Sequence, residues 1–74
     1  MSRAGRLEAE GLIRMVRSDR LCQVELANGH RLWAWVPRRG SVEKVGQVGD
    51  RVCVEVSVCD LTRGKIVKIQ RKDS

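Results

Sequence analysis

The sequence predicts an all-β fold, a small barrel of five strands. Three observations carry this. Apolar and polar residues alternate with period two over much of the chain. An Asn-Gly pair, Asn28-Gly29, sits between two such runs, a strong hairpin signal. The chain has 74 residues, room for one domain. A chain of that size buries about 60% of the surface its unfolded form exposes, so its core is small. Val, Leu, Ile, Ala and Cys must supply it, because there is no Phe or Tyr and only two Trp.

The elements follow in order. Residues 1–6 are polar and expected to fray. From Leu7, the residues Leu7, Ala9, Gly11, Ile13 and Met15 share one face of a long first strand. Gly11 marks an expected bulge or bend. Residues 17–20, "RSDR", read as a polar turn. "LCQVEL" (21–26) alternates again and should pair antiparallel with "RLWAWV" (31–36). Both central turn positions, Asn28 and Gly29, are expected at positive φ. Pro37 ends the third strand, because it has no N–H to donate. Residues 37–50 lack a clean period. Within them "SVEKV" (41–45) reads as at most one helical turn, with Ser41 as N-cap. "RVCVEVSVC" (51–59) is the cleanest strand, with Val52, Val54, Val56 and Val58 on one face. "DLTRG" (60–64) reads as a turn and "KIVKIQR" (65–71) as the fifth strand. Ile66, Val67 and Ile69 do not share a face there, so its inner side stays open. Residues 72–74 form a polar tail.

Five short strands with an irregular or weakly helical link between the third and fourth match the OB-fold over residues 7–71. That barrel binds oligonucleotides across strands two and three and the adjoining loops. An SH3-like barrel is the competing architecture. Its connection between strands three and four is usually tight, so the long 37–50 segment favours the OB arrangement.

Charge points to the partner. Fifteen Lys and Arg against nine Asp and Glu leave +6, and eleven of the fifteen are Arg. The planar guanidinium suits phosphate and stacks on bases. Nucleic acid is the first expectation and an anionic membrane surface the second. The three cysteines, Cys22, Cys53 and Cys59, include no C-x-x-C. Cys53 and Cys59 on one strand would stand roughly 20 Å apart, beyond the ~7 Å reach of a disulfide. They are expected to be buried thiols in a reducing cytoplasm. With one His, no metal site or other cofactor is expected. No secretory signal and no apolar run of membrane-spanning length occurs. No nucleophile has an evident His partner and no paired carboxylates stand out, so an enzyme is not expected.

The third strand carries the candidate site. If Leu32, Ala34 and Val36 face the core, Arg31, Trp33 and Trp35 line the outside. Two indoles beside a guanidinium make a stacking platform for bases. In the opposite arrangement the indoles are core, or one packs against the 37–50 segment. Further candidate RNA contacts are Asn28 and His30 in the hairpin, Arg38, Arg39 and Lys44 in the long loop, and Arg63 and Lys65 in the last hairpin. The three basic loops are expected to border one face.

Four segments, "EGLIRMV", "VELANGH", "GDRVCVEV" and "DLTRGKIV", occur in the order and nearly the spacing of bacterial translation initiation factor one. The chain resembles that family over roughly residues 7–71. The resemblance implies a single OB-fold of the S1 type. It also implies binding to the small ribosomal subunit at the A site, against the decoding region of 16S rRNA. There the factor would occlude the site and support the other initiation factors, as a monomer. The chain departs from the family after strand three. The usual Ser-Gly and Lys-Met-Arg run is replaced by "PRRGSVEKVGQVGD", and Trp35 stands where a His is usual, as in a divergent or second copy. Two other functions fit the same residues: a single-strand RNA chaperone of the cold-shock type, and a basic protein-interaction module.

Overall fold

The computed structural model describes residues 5–40 and 42–70. Five strands form: β1 (Arg6–Ser18), β2 (Leu21–Leu26), β3 (Arg31–Trp35), β4 (Arg51–Ser57) and β5 (Asp60–Gln70). They close a barrel in the order β1-β2-β3-β5-β4. Every pairing is antiparallel except β3 with β5. This is the five-stranded closed architecture of the OB-fold. The described residues form no helix, and so none long and apolar enough to cross a membrane.

The alternating residues fill the interior as their period demands. Ile13, Cys22, Val24, Leu32, Ala34, Val36, Val52, Val54, Val56 and Ile66 are buried together. The 37–50 segment is irregular where one helical turn was a possibility, and Ser41 lies outside the described residues. It works as a plug instead. Val45 enters the core, with Val42 packed against it. The backbone N–H of Val45 donates to the Asp19 carbonyl at 2.8 Å, and Gly49 N–H donates to Ile13 O at 2.8 Å. Asp50, itself buried, accepts the Gln47 N–H on its carboxylate at 2.9 Å.

Strand β1 is long enough to pair with β4 through its first half and β2 through its second. Of the bulge or bend expected at Gly11, no bulge forms: Gly11 pairs in register with both Leu26 and Val52, where β1 passes from β4 to β2. Its role is close approach. A Cβ there would lie 2.7 Å from the Glu25 carbonyl oxygen and 2.6 Å from Val24 Cγ1. The register shifts fall instead around Arg14 and Arg17. Beyond Ile13 the strand leaves the core, and Met15 and Val16 are both 41% exposed.

The hairpin after β2 corrects a second expectation. Gly29 N–H donates to Leu26 O at 2.9 Å, which makes Ala27 and Asn28 the central turn residues. Gly29 has φ +89°, and no described non-glycine residue has positive φ. The turn is therefore of type I, closed by a left-handed glycine, and Asn28 keeps a right-handed conformation.

The last hairpin also shifts. β4 ends at Ser57, and Val58-Cys59 make the turn. Residues 60–64, read from the sequence as a turn, begin β5. Between Ser57↔Asp60 and Val56↔Gly64, the residues Leu61, Thr62 and Arg63 have no partner on β4 and bulge outward. A second shift in β5 separates Ile66 from Lys68. It explains the broken pattern there: Ile66 is buried, Val67 sits at the irregularity, and Ile69 returns towards the core. The cysteines divide. Cys22 is buried, Cys53 half-buried and Cys59 exposed in the turn, and all three are free thiols.

Two outcomes follow. Gly11→Ala forces a Cβ onto the β2 backbone and should cost about 1–3 kcal/mol in chemical denaturation. Burial pushes the Cys22 thiol up from 9.0 to about 11. A raised folded-state pKa means this contribution is complete below pH 9 and lost as pH climbs towards 11. Alkaline denaturation of Cys22→Ala should lack that component, and in the native protein Cys59 should react with a thiol reagent at once, Cys22 only on unfolding.

Candidate nucleic-acid interface

β3 divides its residues cleanly. Leu32 and Ala34 enter the core with Val36, so Arg31, Trp33 and Trp35 line the outer wall. The two indoles differ. Trp33 is half-buried and Trp35 is 40% exposed. Across the sheet, Gln23 and Leu21 on β2 stand opposite Trp33 and Trp35. On the other side the parallel partner β5 places Arg63 beside Trp33 and Lys65 beside Trp35. Neighbouring strands lie about 4.8 Å apart. Each ring therefore has a cation as its immediate lateral neighbour.

Carboxylates hold these cations in place. Glu55 on β4, opposite Lys65, has a side chain 8% exposed. It meets Lys65 Nζ at 3.6 Å and Arg6 Nη1 at 3.5 Å. Asp60 accepts the Thr62 N–H on Oδ1 at 3.1 Å and Arg63 Nε on Oδ2 at 3.3 Å. The Thr62 hydroxyl also donates to Asp60 Oδ1, and these bonds hold the Asp60 carboxyl below the usual carboxylate range. Arg31 meets Glu25 at 3.8 Å, while Arg14 meets the same oxygen at 3.1 Å. Arg63 keeps 70% of its side chain exposed and Arg31 56%. Both remain accessible to a phosphate.

Asn28 and His30 are committed to local structure. Asn28 Oδ1 accepts the His30 N–H at 3.0 Å, which fixes the turn. His30 Nε2 lies 2.7 Å from the Leu61 carbonyl oxygen. A carbonyl only accepts, so Nε2 carries the proton and Nδ1 remains for a ligand. This bond ties the β2–β3 hairpin to the Leu61–Arg63 bulge. Two of the three basic loops thus adjoin at one end of β3.

Arg38, Arg39 and Lys44 are exposed beyond the other end of the strand. Their loop is tied to the β1–β2 turn. Val36 N–H donates to Arg20 O at 3.0 Å, and Arg20 Nη2 returns a bond to Val36 O at 3.1 Å. The hairpin and the Leu61–Arg63 bulge meet through His30, and the loop with Arg38, Arg39 and Lys44 follows the other end of β3. Arg20 joins the second group through its bonds to Val36 and was missed in the sequence. The signal was present in "RSDR", where two Arg frame a turn. Arg6, Glu55 and Asp60 were also missed, because they reach the indole face from distant segments. With Trp35, Arg63 and Lys65 they line a pocket of about 280 Å³. A larger groove of about 450 Å³ lies against Gly11, Arg14, Glu25 and Arg51 and has no aromatic lining.

No family model matches the chain. Among solved structures it is similar to the solution structure of translation initiation factor one from the Wolbachia endosymbiont strain TRS of Brugia malayi. Identity is 28%, the match covers 96% of this chain and 85% of that one, and the TM-score is 0.69. The closed barrel and this likeness over nearly the whole chain agree with the resemblance read from the four sequence segments: the fold is an OB-fold like that of translation initiation factor one.

Proposed function

We propose that the protein is a translation initiation factor that binds 16S rRNA at the A site of the small ribosomal subunit, occludes that site and supports the other initiation factors. The observation that carries this reading is the outer face of β3, in a barrel like that of translation initiation factor one. Two indoles stand there, each beside a cation from β5. Trp33 and Trp35 stack on bases. Arg31, Arg38, Arg39, Lys44, Arg63 and Lys65 meet phosphates, Asn28 shapes the hairpin, and His30 offers Nδ1 while Nε2 holds the bulge. Binding of this kind needs no chemistry from the protein, in keeping with a non-enzymatic factor working in the cytoplasm.

A second reading, a general single-strand RNA chaperone, is favoured by the exposure of Trp35, since stacking accepts any base. Sedimentation separates the two. An initiation factor travels with small subunits and leaves when the large subunit joins. Equal binding to any unstructured RNA, with no preference for small subunits, would remove the first reading. Footprinting should protect the decoding region of 16S rRNA and little else.

Two solution measurements bear on RNA binding itself. About five phosphate contacts on single-stranded RNA give a slope near −3.5 in log affinity against log salt. A flat response would point to a protein partner. Trp35→Ala should lose about 1–3 kcal/mol of RNA affinity, the cost of one stacked base, with little change in the salt slope.

A further inference from the structure

His30 makes a contact that a hairpin residue does not require. Its own backbone is fixed first. The His30 N–H donates to Asn28 Oδ1 at 3.0 Å, and the His30 carbonyl accepts the Leu26 N–H at 2.8 Å. From that anchored backbone the ring reaches 31 positions along the chain, where Nε2 donates to the Leu61 carbonyl at 2.7 Å. The acceptor is backbone, so the bond fixes the path of β5 whatever side chain stands at position 61.

The bond lands at the exposed end of the barrel closure. The parallel ladder between β3 and β5 has three pairs, and Trp33↔Arg63 is the outermost. Beyond it, Leu61 and Thr62 pair with neither β3 nor β4. An end pair with no neighbour on one side is where a ladder opens most easily, since opening there breaks the fewest contacts. On its inner flank Arg63 is followed by Gly64, which is buried and paired on both sides. On its outer flank the His30 bond stands in for the missing rungs. Asp60 does something different. It holds Arg63 Nε at 3.3 Å and the Thr62 N–H at 3.1 Å, bonds within the bulge that travel with it. The His30 bond ties the bulge to the hairpin that leads into β3.

We infer that His30 is a positioning residue: its Nε2 bond to Leu61 keeps the bulge in register with β3, and so presents Arg63 to a phosphate beside Trp33. The inference rests on the RNA-binding reading above and states how one cation of that face is made ready. With Nε held by Asp60, the terminal nitrogens of Arg63 are the pair turned to a phosphate. Without the clasp Arg63 keeps its charge and its reach. The bulge must then be ordered during binding, and that cost is subtracted from affinity. The number of phosphate contacts does not change.

The full chain is titrated with octauridylate by tryptophan emission over a range of salt concentrations. His30→Ala should bind about fivefold more weakly, the ratio that one net hydrogen bond corresponds to, with the salt slope unchanged. Amide exchange at residues 62–64 should quicken by a similar factor, while exchange in β1 and β2 stays at the native rate. His30→Gln places a donor where Nε2 stood and has no nitrogen at the Nδ1 position. It should recover most of the lost affinity and the slow exchange. Arg63→Ala should flatten the salt slope by about 0.7, the share of one phosphate on a single strand. In that background His30→Ala should cost nothing further. Native affinity in His30→Ala would overturn the positioning role. So would His30→Gln binding as weakly as His30→Ala, or a His30 effect undiminished without Arg63. Each of these leaves the RNA-binding reading standing. Failure of the native chain to bind octauridylate at low salt would overturn both.

Discussion

The parallel pairing of β3 with β5 through Trp33↔Arg63, Ala34↔Gly64 and Trp35↔Lys65 does two things at once. It closes the barrel, which removes the last open strand edges. Through the same three residue pairs it brings cations from the end of the chain beside rings from its middle. The central pair is small on both sides, and it has to be. A Cβ on Gly64 would stand 2.9 Å from Val56 Cγ1. Ala34 and Gly64 let the walls meet at the interior, while their neighbours carry large polar and aromatic groups outward. Core packing and surface chemistry are therefore coupled at one register, and a slip of a single residue would exchange them.

Carboxylates on the same wall keep that surface usable. Unpaired cations side by side would repel one another and the barrel would lose stability. Glu55 between Arg6 and Lys65, and Asp60 against Arg63, hold the positive groups in defined positions while leaving most of the Arg6 and Arg63 side chains in solvent. Most of this is not net stabilisation, since exposed ion pairs contribute little. Its effect is orientation. A phosphate arriving there meets cations whose rotamer freedom is already reduced, so less entropy is lost on contact.

Much of the fold was legible in the sequence, and the failures have a common physical cause. Period two set Leu32, Ala34 and Val36 on one face and Arg31, Trp33 and Trp35 on the other, the structure turns the first face inward, and the antiparallel pairing of 21–26 with 31–36 followed from the hairpin signal. Errors arose wherever an extra residue interrupts a ladder. Arg14 and Arg17 shift β1, Leu61–Arg63 bulge from β5, and a further shift falls next to Val67. A bulge leaves no local composition signal when the inserted residue is polar and the neighbours are already mixed. The turn at Asn28-Gly29 was located correctly but given the wrong type. Asn-Gly serves both a two-residue turn and a glycine-closed type I turn, and the added Ala27 decides between them. The candidate site was legible where it lies on one strand. It was illegible where it depends on β1, β4 and β5 converging, as Arg6, Glu55 and Asp60 do around Trp35.

The spacing of the two indoles sets a mechanical condition on whatever lies across them. Residues i and i+2 of a strand are about 6.6 Å apart, while stacked bases follow one another at about 3.4 Å. Successive nucleotides can occupy both rings only if their own stack is pulled open to nearly twice its resting length. The work of that stretching comes out of the binding energy, so stiff, well-stacked segments are penalised and pliant ones preferred. For an RNA strand laid across both rings, this fixed spacing on a closed barrel would reward the ease with which the strand extends.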